Sequence, residues 1–120
     1  MAQWVFNRNG KAKIIFKESC FRDARGRVVG WINNTNVFSL RGRHIGWYEH
    51  GVVYDRNNNT LGFIKNCTGY IPSFPGLSGT PGMPGFSGKP GRPGFSGIPG
   101  KPGRGGWSKY DLEFYFKENQ

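Results

Sequence analysis

A sixteen-residue repeat, read four times without insertion, is the feature that most constrains this chain. Gly10, Gly26, Gly42 and Asn58 stand sixteen residues apart at turn positions. Asparagine is the usual substitute where a left-handed conformation is needed, so the fourth copy obeys the same rule as the others. The other columns keep step. Val5, Phe21, Val37 and Val53 align, as do Phe6, Arg22, Phe38 and Tyr54, then Ile15, Trp31, Trp47 and Phe63, and Phe16, Ile32, Tyr48 and Ile64. Short runs rich in Val, Ile, Phe and Trp flank an x-Gly pair, the pattern of a β-hairpin with a two-residue type I′ loop. With Asn9-Gly10 as the loop, Arg8 opposes Lys11, Phe6 opposes Lys13 and Trp4 opposes Ile15.

That register puts Phe6, Phe38, Tyr54, Val29, Ile45, Leu61, Trp31, Trp47 and Phe63 on one face. The other face takes Val5, Phe21, Val37, Val53, Ile32, Tyr48 and Ile64, interleaved with Gly30, Gly46 and Gly62. Glycine inside a strand marks a close approach by something else. The expected fold is therefore all-β: residues 1–68 form four hairpins converging on a crowded centre in a pseudo-four-fold arrangement. Copy one departs with Lys13 and Ile14, and copy two places Arg22 in the aromatic column.

Both faces are apolar, and a unit this small buries only about 60% of its extended-chain surface, so it needs a cover. Residues 107–120 supply a candidate. Ser108 and Asp111 have capping-type spacing ahead of Leu112, Tyr115 and Phe116, which predicts a short C-terminal helix over the aromatic face. The alternation of Tyr110, Leu112, Phe114 and Phe116 also fits a strand. The rival cover is a second copy, giving a homo-oligomer, or a protein partner.

Residues 69–106 form the intervening segment. From Gly76 to Gly106 a glycine occupies every third position, beneath a nine-residue unit: GLSGTPGMP, GFSGKPGRP, GFSGIPGKP, then GRGG. Strict Gly-X-Y with proline at Y is collagen-like, because only glycine fits a triple-helix axis. Three arrangements remain open: a triple helix, a free polyproline II spacer, or polyproline II packed on its own domain or a sister chain. Four cations and no acid in this segment weigh against three chains in register. Phe86 and Phe95 are more than a free spacer needs.

With repeat and tail in view, the chain resembles the bacterial family of four-fold beta flower proteins. Val37–Ile64 (VFSLRGRHIGWYEHGVVYDRNNNTLGFI), Cys20–Ile32 (CFRDARGRVVGWI) and the closing Trp107-Ser108 carry the likeness. It spans residues 4–67 closely and 107–118 loosely. Similar members carry basic, Pro-rich period-three linkers where this chain has Gly-X-Y, so the collagen-like spacing is a departure. The resemblance implies the fold and supplies no activity.

Catalytic patterns are missing from the sequence. Nucleophilic catalysis needs a nucleophile beside an oriented base, but His44 sits in a column with Ala12, Val28 and Thr60, and His50 in an inter-hairpin turn. Asp23 and Asp55 share a column with Asn7 and Ser39 just before the turns, where such side chains bond turn backbone. Cys20 and Cys67 lack zinc-ligand spacing, and no phosphate loop or cofactor fingerprint occurs. The expectation is a non-enzymatic structural or interaction module without cofactor or metal, its Gly-X-Y segment a spacer or assembly element. An enzyme is the remaining alternative.

Polyanion binding is the second reading. The net charge of +10 favours acidic partners such as nucleic acid or an anionic surface. Arg8, Lys11, Arg25, Arg27, Arg41, Arg43 and Arg56 would form a cationic rim at the hairpin tips. Two unpaired cysteines, no apolar leader and no run of about 18 apolar residues predict a cytoplasmic protein without a membrane span. The sequence points to no small-molecule ligand.

Overall fold

The computed structural model describes residues 2–120. Eight strands form a closed antiparallel barrel in sequence order: β1 (Gln3–Phe6), β2 (Ala12–Lys17), β3 (Cys20–Arg22), β4 (Val28–Asn33), β5 (Asn36–Ser39), β6 (His44–Glu49), β7 (Val52–Tyr54) and β8 (Thr60–Ile64). β1 pairs with β8 through Val5–Ile64 and Phe6–Phe63, so the sheet has no free edge. One helix, α1 (Leu112–Glu118), ends the chain.

The tip loops differ from the expected two-residue type. Asn7 N–H donates to the Lys11 carbonyl at 2.8 Å, and Gly10 N–H to the Asn7 carbonyl at 2.9 Å. The loop is therefore Arg8-Asn9-Gly10, three residues with only the last left-handed, at φ 76°. Type I′ would need positive φ at both central residues. The same bonds recur at Asp23–Arg27, Ser39–Arg43 and Asp55–Asn59. Side chains reinforce them: Asp23 Oδ1 accepts from the Arg25 and Arg27 N–H groups, as Asn7 and Asp55 do in their loops, and Ser39 Oγ accepts from Arg43 N–H. Two-residue turns occur instead at the opposite strand ends, between Lys17 and Cys20, Asn33 and Asn36, and Glu49 and Val52.

Three-residue loops shift the pairing. Trp4 opposes Ile15 as expected, but Phe6 opposes Ala12 instead of Lys13, because the register slips between Val5 and Phe6. Equivalent slips leave Val29, Ile45 and Leu61 as extra residues in β4, β6 and β8. A bulge turns two successive side chains toward one face. Val29, Ile45 and Leu61 therefore join the Val5, Phe21, Val37 and Val53 cluster instead of the aromatic face.

The helix also lies elsewhere than expected. Leu112, Tyr115 and Phe116, at i, i+3 and i+4, are buried among that same inner cluster, so α1 plugs the barrel instead of covering its aromatic face. Tyr115 Oη donates to the Ile45 carbonyl at 2.6 Å. Asp111 is the N-cap but makes no side-chain capping bond, and Ser108 Oγ donates to Asp55 Oδ2 at 2.6 Å. The glycine column has a clear cause here. A Cβ at Gly30 would meet the Phe116 ring and the Phe38 carbonyl, at Gly46 the Tyr54 carbonyl, and at Gly62 the Phe6 carbonyl. Cys20 and Cys67 are not disulfide-bonded, and no helix among the described residues is long and apolar enough to cross a membrane.

Candidate interaction surface

The Gly-X-Y segment seats on the tip loops. Ser78 N–H donates to the Gly10 carbonyl at 2.9 Å, Ser87 N–H to Gly26 at 3.1 Å and Ser96 N–H to Gly42 at 2.8 Å. Gly105, at the serine position of the truncated fourth unit, donates to the Asn58 carbonyl at 3.2 Å. One nine-residue unit thus meets one sixteen-residue repeat. The dimensions agree: 27 residues extended at about 3.1 Å each would cover roughly 84 Å, and three quarters of the rim of a disc 37 Å across is about 87 Å. The segment thus lies packed along the barrel of its own chain.

Three of the four seats have a side-chain partner from the outer column. Phe95 stacks on Phe38 with centroids 4.1 Å apart and planes 8° apart. Phe86 lies 4.8 Å from the guanidinium of buried Arg22, which also donates to the Gly26 and Ser87 carbonyls at 2.6 and 2.7 Å. That explains a charge in an aromatic column: the cation is solvated by two carbonyls and a ring face. At the fourth tip the roles exchange, with Arg104 4.3 Å over Tyr54. The belt's cations meet barrel acids, Lys89 pairing with Glu18 at 3.1 Å and both Lys101 and Arg104 with Glu49. The hydrogen bond and charge of Lys89 hold the Glu18 carboxyl below its ordinary pKa. The belt finishes on β8, where Thr60 N–H donates to the Gly106 carbonyl and Ser108 N–H to Thr60.

Arg8, Lys11, Arg25, Arg27, Arg41, Arg43 and Arg56 are all exposed at the tips. Four have partners. Arg27 pairs with Asp23 at 3.3 Å, Arg8 donates to the Ser108 carbonyl, and Arg43 and Arg56 both reach Asn119 Oδ1 at the C-cap of α1. Among the described residues, Lys11, Arg25 and Arg41 have no ion pair or side-chain hydrogen bond. The helix also carries Glu113 and Glu118 to this end, with Glu113 3.6 Å from Lys13. The rim is therefore charge-mixed, not an unbroken cationic ring. Sequence reasoning missed the belt's seats at Ser78, Ser87, Ser96 and Gly105; the available signal was that the tail, like the barrel, has four units.

His44 belongs to the third seat. Its backbone N–H donates to Ser96 Oγ at 2.9 Å, and its ring packs on Phe38 and Trp47 with Nε2 3.1 Å from Asn36 Oδ1. Burial, and then the charge of Arg56, hold its pKa below 6.5. The unfolded ring protonates near 6.5, so the unfolded chain binds the extra proton first. This contribution to stability is complete above about pH 6.5 and is lost as pH falls toward the folded pKa. We expect the melting temperature to drop between pH 7.5 and 5 and His44→Gln to flatten that step. An equal drop in the variant would contradict the assignment.

Among the described residues no three His, Cys, Asp or Glu side chains gather as a metal site. A family model described as 4-fold beta flower protein matches residues 3–116. No curated protein and no solved structure matches the chain.

Proposed function

Because this chain belongs to the 4-fold beta flower family, whose description names an architecture and no activity, we propose that it is a non-enzymatic structural or interaction module. In this reading the barrel is a pseudo-four-fold set of hairpins, and the collagen-like segment is its strap, not a spacer. The observation that carries it is the one-to-one match of belt units to tips, through the Ser78, Ser87, Ser96 and Gly105 N–H groups. The groups that could do chemistry are already engaged: Asp23 and Asp55 bond turn backbone, and His44 is packed between aromatic rings. Light scattering with limited collagenase digestion tests the strap. A monomer whose Gly-X-Y segment resists cutting until the barrel melts is expected. A trimer, or a segment cut at once with no change in melting, would count against it.

Polyanion binding is kept as the second reading because the Lys11, Arg25 and Arg41 side chains are exposed at the tips with no ion pair or hydrogen bond among the described residues. Three phosphate contacts cost roughly 40-fold in affinity between 50 and 200 mM salt. Duplex DNA titrated at those two salt concentrations should show that loss, and replacing all three residues by Ser should abolish it. Unchanged binding by the triple variant would end this reading.

A further inference from the structure

We propose that the hairpin tips are a repeated binding site for an extended Gly-Φ-Ser segment, Φ being Leu or Phe. Its partner in trans is the same segment of a second copy of this chain. The proposal rests on the interaction-module reading and names that module's partner. Three tips present the same recognition: the carbonyl of a left-handed glycine accepts the serine N–H of the unit, at 2.9, 3.1 and 2.8 Å. Two of these units add a ring against the outer column, Phe86 by Arg22 and Phe95 by Phe38. Nothing in that geometry distinguishes a chain's own belt from a neighbour's.

The belt's backbone N–H groups donate to the tips only once in nine residues, and Leu77, Met83 and Ile98 remain exposed. It leaves the barrel through Pro72–Pro75, which makes no backbone hydrogen bond among the described residues, and Phe74 there is 65% exposed. Redirecting that hinge sends belt and plug together to a second barrel, with every seat and the Leu112, Tyr115 and Phe116 core contacts reproduced. Two chains exchanging in this way form a closed symmetric dimer. The plug must seat after the exchange, so the choice is made during folding. A tethered segment has an effective concentration of about millimolar, so trans seating competes only near that chain concentration.

The test uses the full wild-type chain. Equal amounts of 15N-labelled and unlabelled protein are unfolded and refolded together at about 1 mM and at about 10 µM. Each is treated with a carbodiimide, which condenses the Glu18 carboxylate with the Lys89 amine across their 3.1 Å bridge with loss of water. Mass spectrometry of the Glu18–Lys89 crosslinked peptide then reads cis against trans. Mixed-isotope peptides should reach a large share of the total, with half as the ceiling, at the higher concentration. They should fall at least tenfold at the lower one. Only same-isotope peptides at both concentrations would overturn the exchange and leave the strapped-module reading standing. No Glu18–Lys89 crosslink in any sample would overturn both.

Discussion

Replacing Gly26 by Ala is expected to strip the belt from its tip and destabilise the protein severely, while the same change at Gly91 has almost no effect. Gly26 has φ 87°, and a Cβ there would fall on the Gly85 carbonyl. The left-handed backbone alone costs an L residue about 1–2 kcal/mol, and loss of the Ser87 and Arg22 contacts adds to it. A fall in melting temperature of roughly 10 °C or more follows for a chain this size. Gly91 has no atom within 4 Å of an added Cβ, as holds for every period-three glycine from Gly76 to Gly106. A triple helix reverses the ranking, because there every third glycine is buried at the axis. Thermal melts of the two variants therefore separate a belt from a rod, and a large loss at Gly91 would contradict the belt.

Phe116→Ala should be the most damaging change outside the loops. Phe116 is 1% exposed, with its ring 5.1 Å from that of Phe21 and against Gly30. Emptying such a site costs about 3–5 kcal/mol in lost transfer energy and cavity, a large share of what holds a small protein folded. Denaturant titration should show a midpoint collapsed or absent. A variant retaining near-wild-type stability would mean that α1 lies on the barrel without plugging it. Phe114→Ala is the control: two residues away and 49% exposed, it should change little.

The repeat made the strand number, turn positions and inner column of Val5, Phe21, Val37 and Val53 legible, because all of these follow from local spacing. The partners of Gly30, Gly46 and Gly62 across the ladder followed as well. Lys13, Val29, Ile45 and Leu61 were misplaced because strict alternation has no way to announce an extra residue; the three-residue loop creates the bulge, and x-Gly alone fits either loop. At Leu112–Glu118 two periodicities competed. Burial of Leu112, Tyr115 and Phe116 with Phe114 outside is the helical one. Among the candidate rim residues, composition fixed their exposure but not their company. The acids that mix the charge come from a helix 50 to 110 residues away in sequence. The belt's seats were hidden for the same reason, since a backbone bond from Ser78 to Gly10 leaves no local trace.

Amide hydrogen exchange along the Gly-X-Y segment, read by NMR on a chain shown to be monomeric, tests the central claim most directly. One protected amide is expected in nine, at Ser78, Ser87, Ser96 and Gly105, with Gly79, Gly88 and Gly97 exchanging freely between them. Uniformly fast exchange from Gly76 to Gly106 would mean a free tail, and protection repeating every third residue in a trimer would mean a collagen rod; either result would contradict a strap seated on its own barrel.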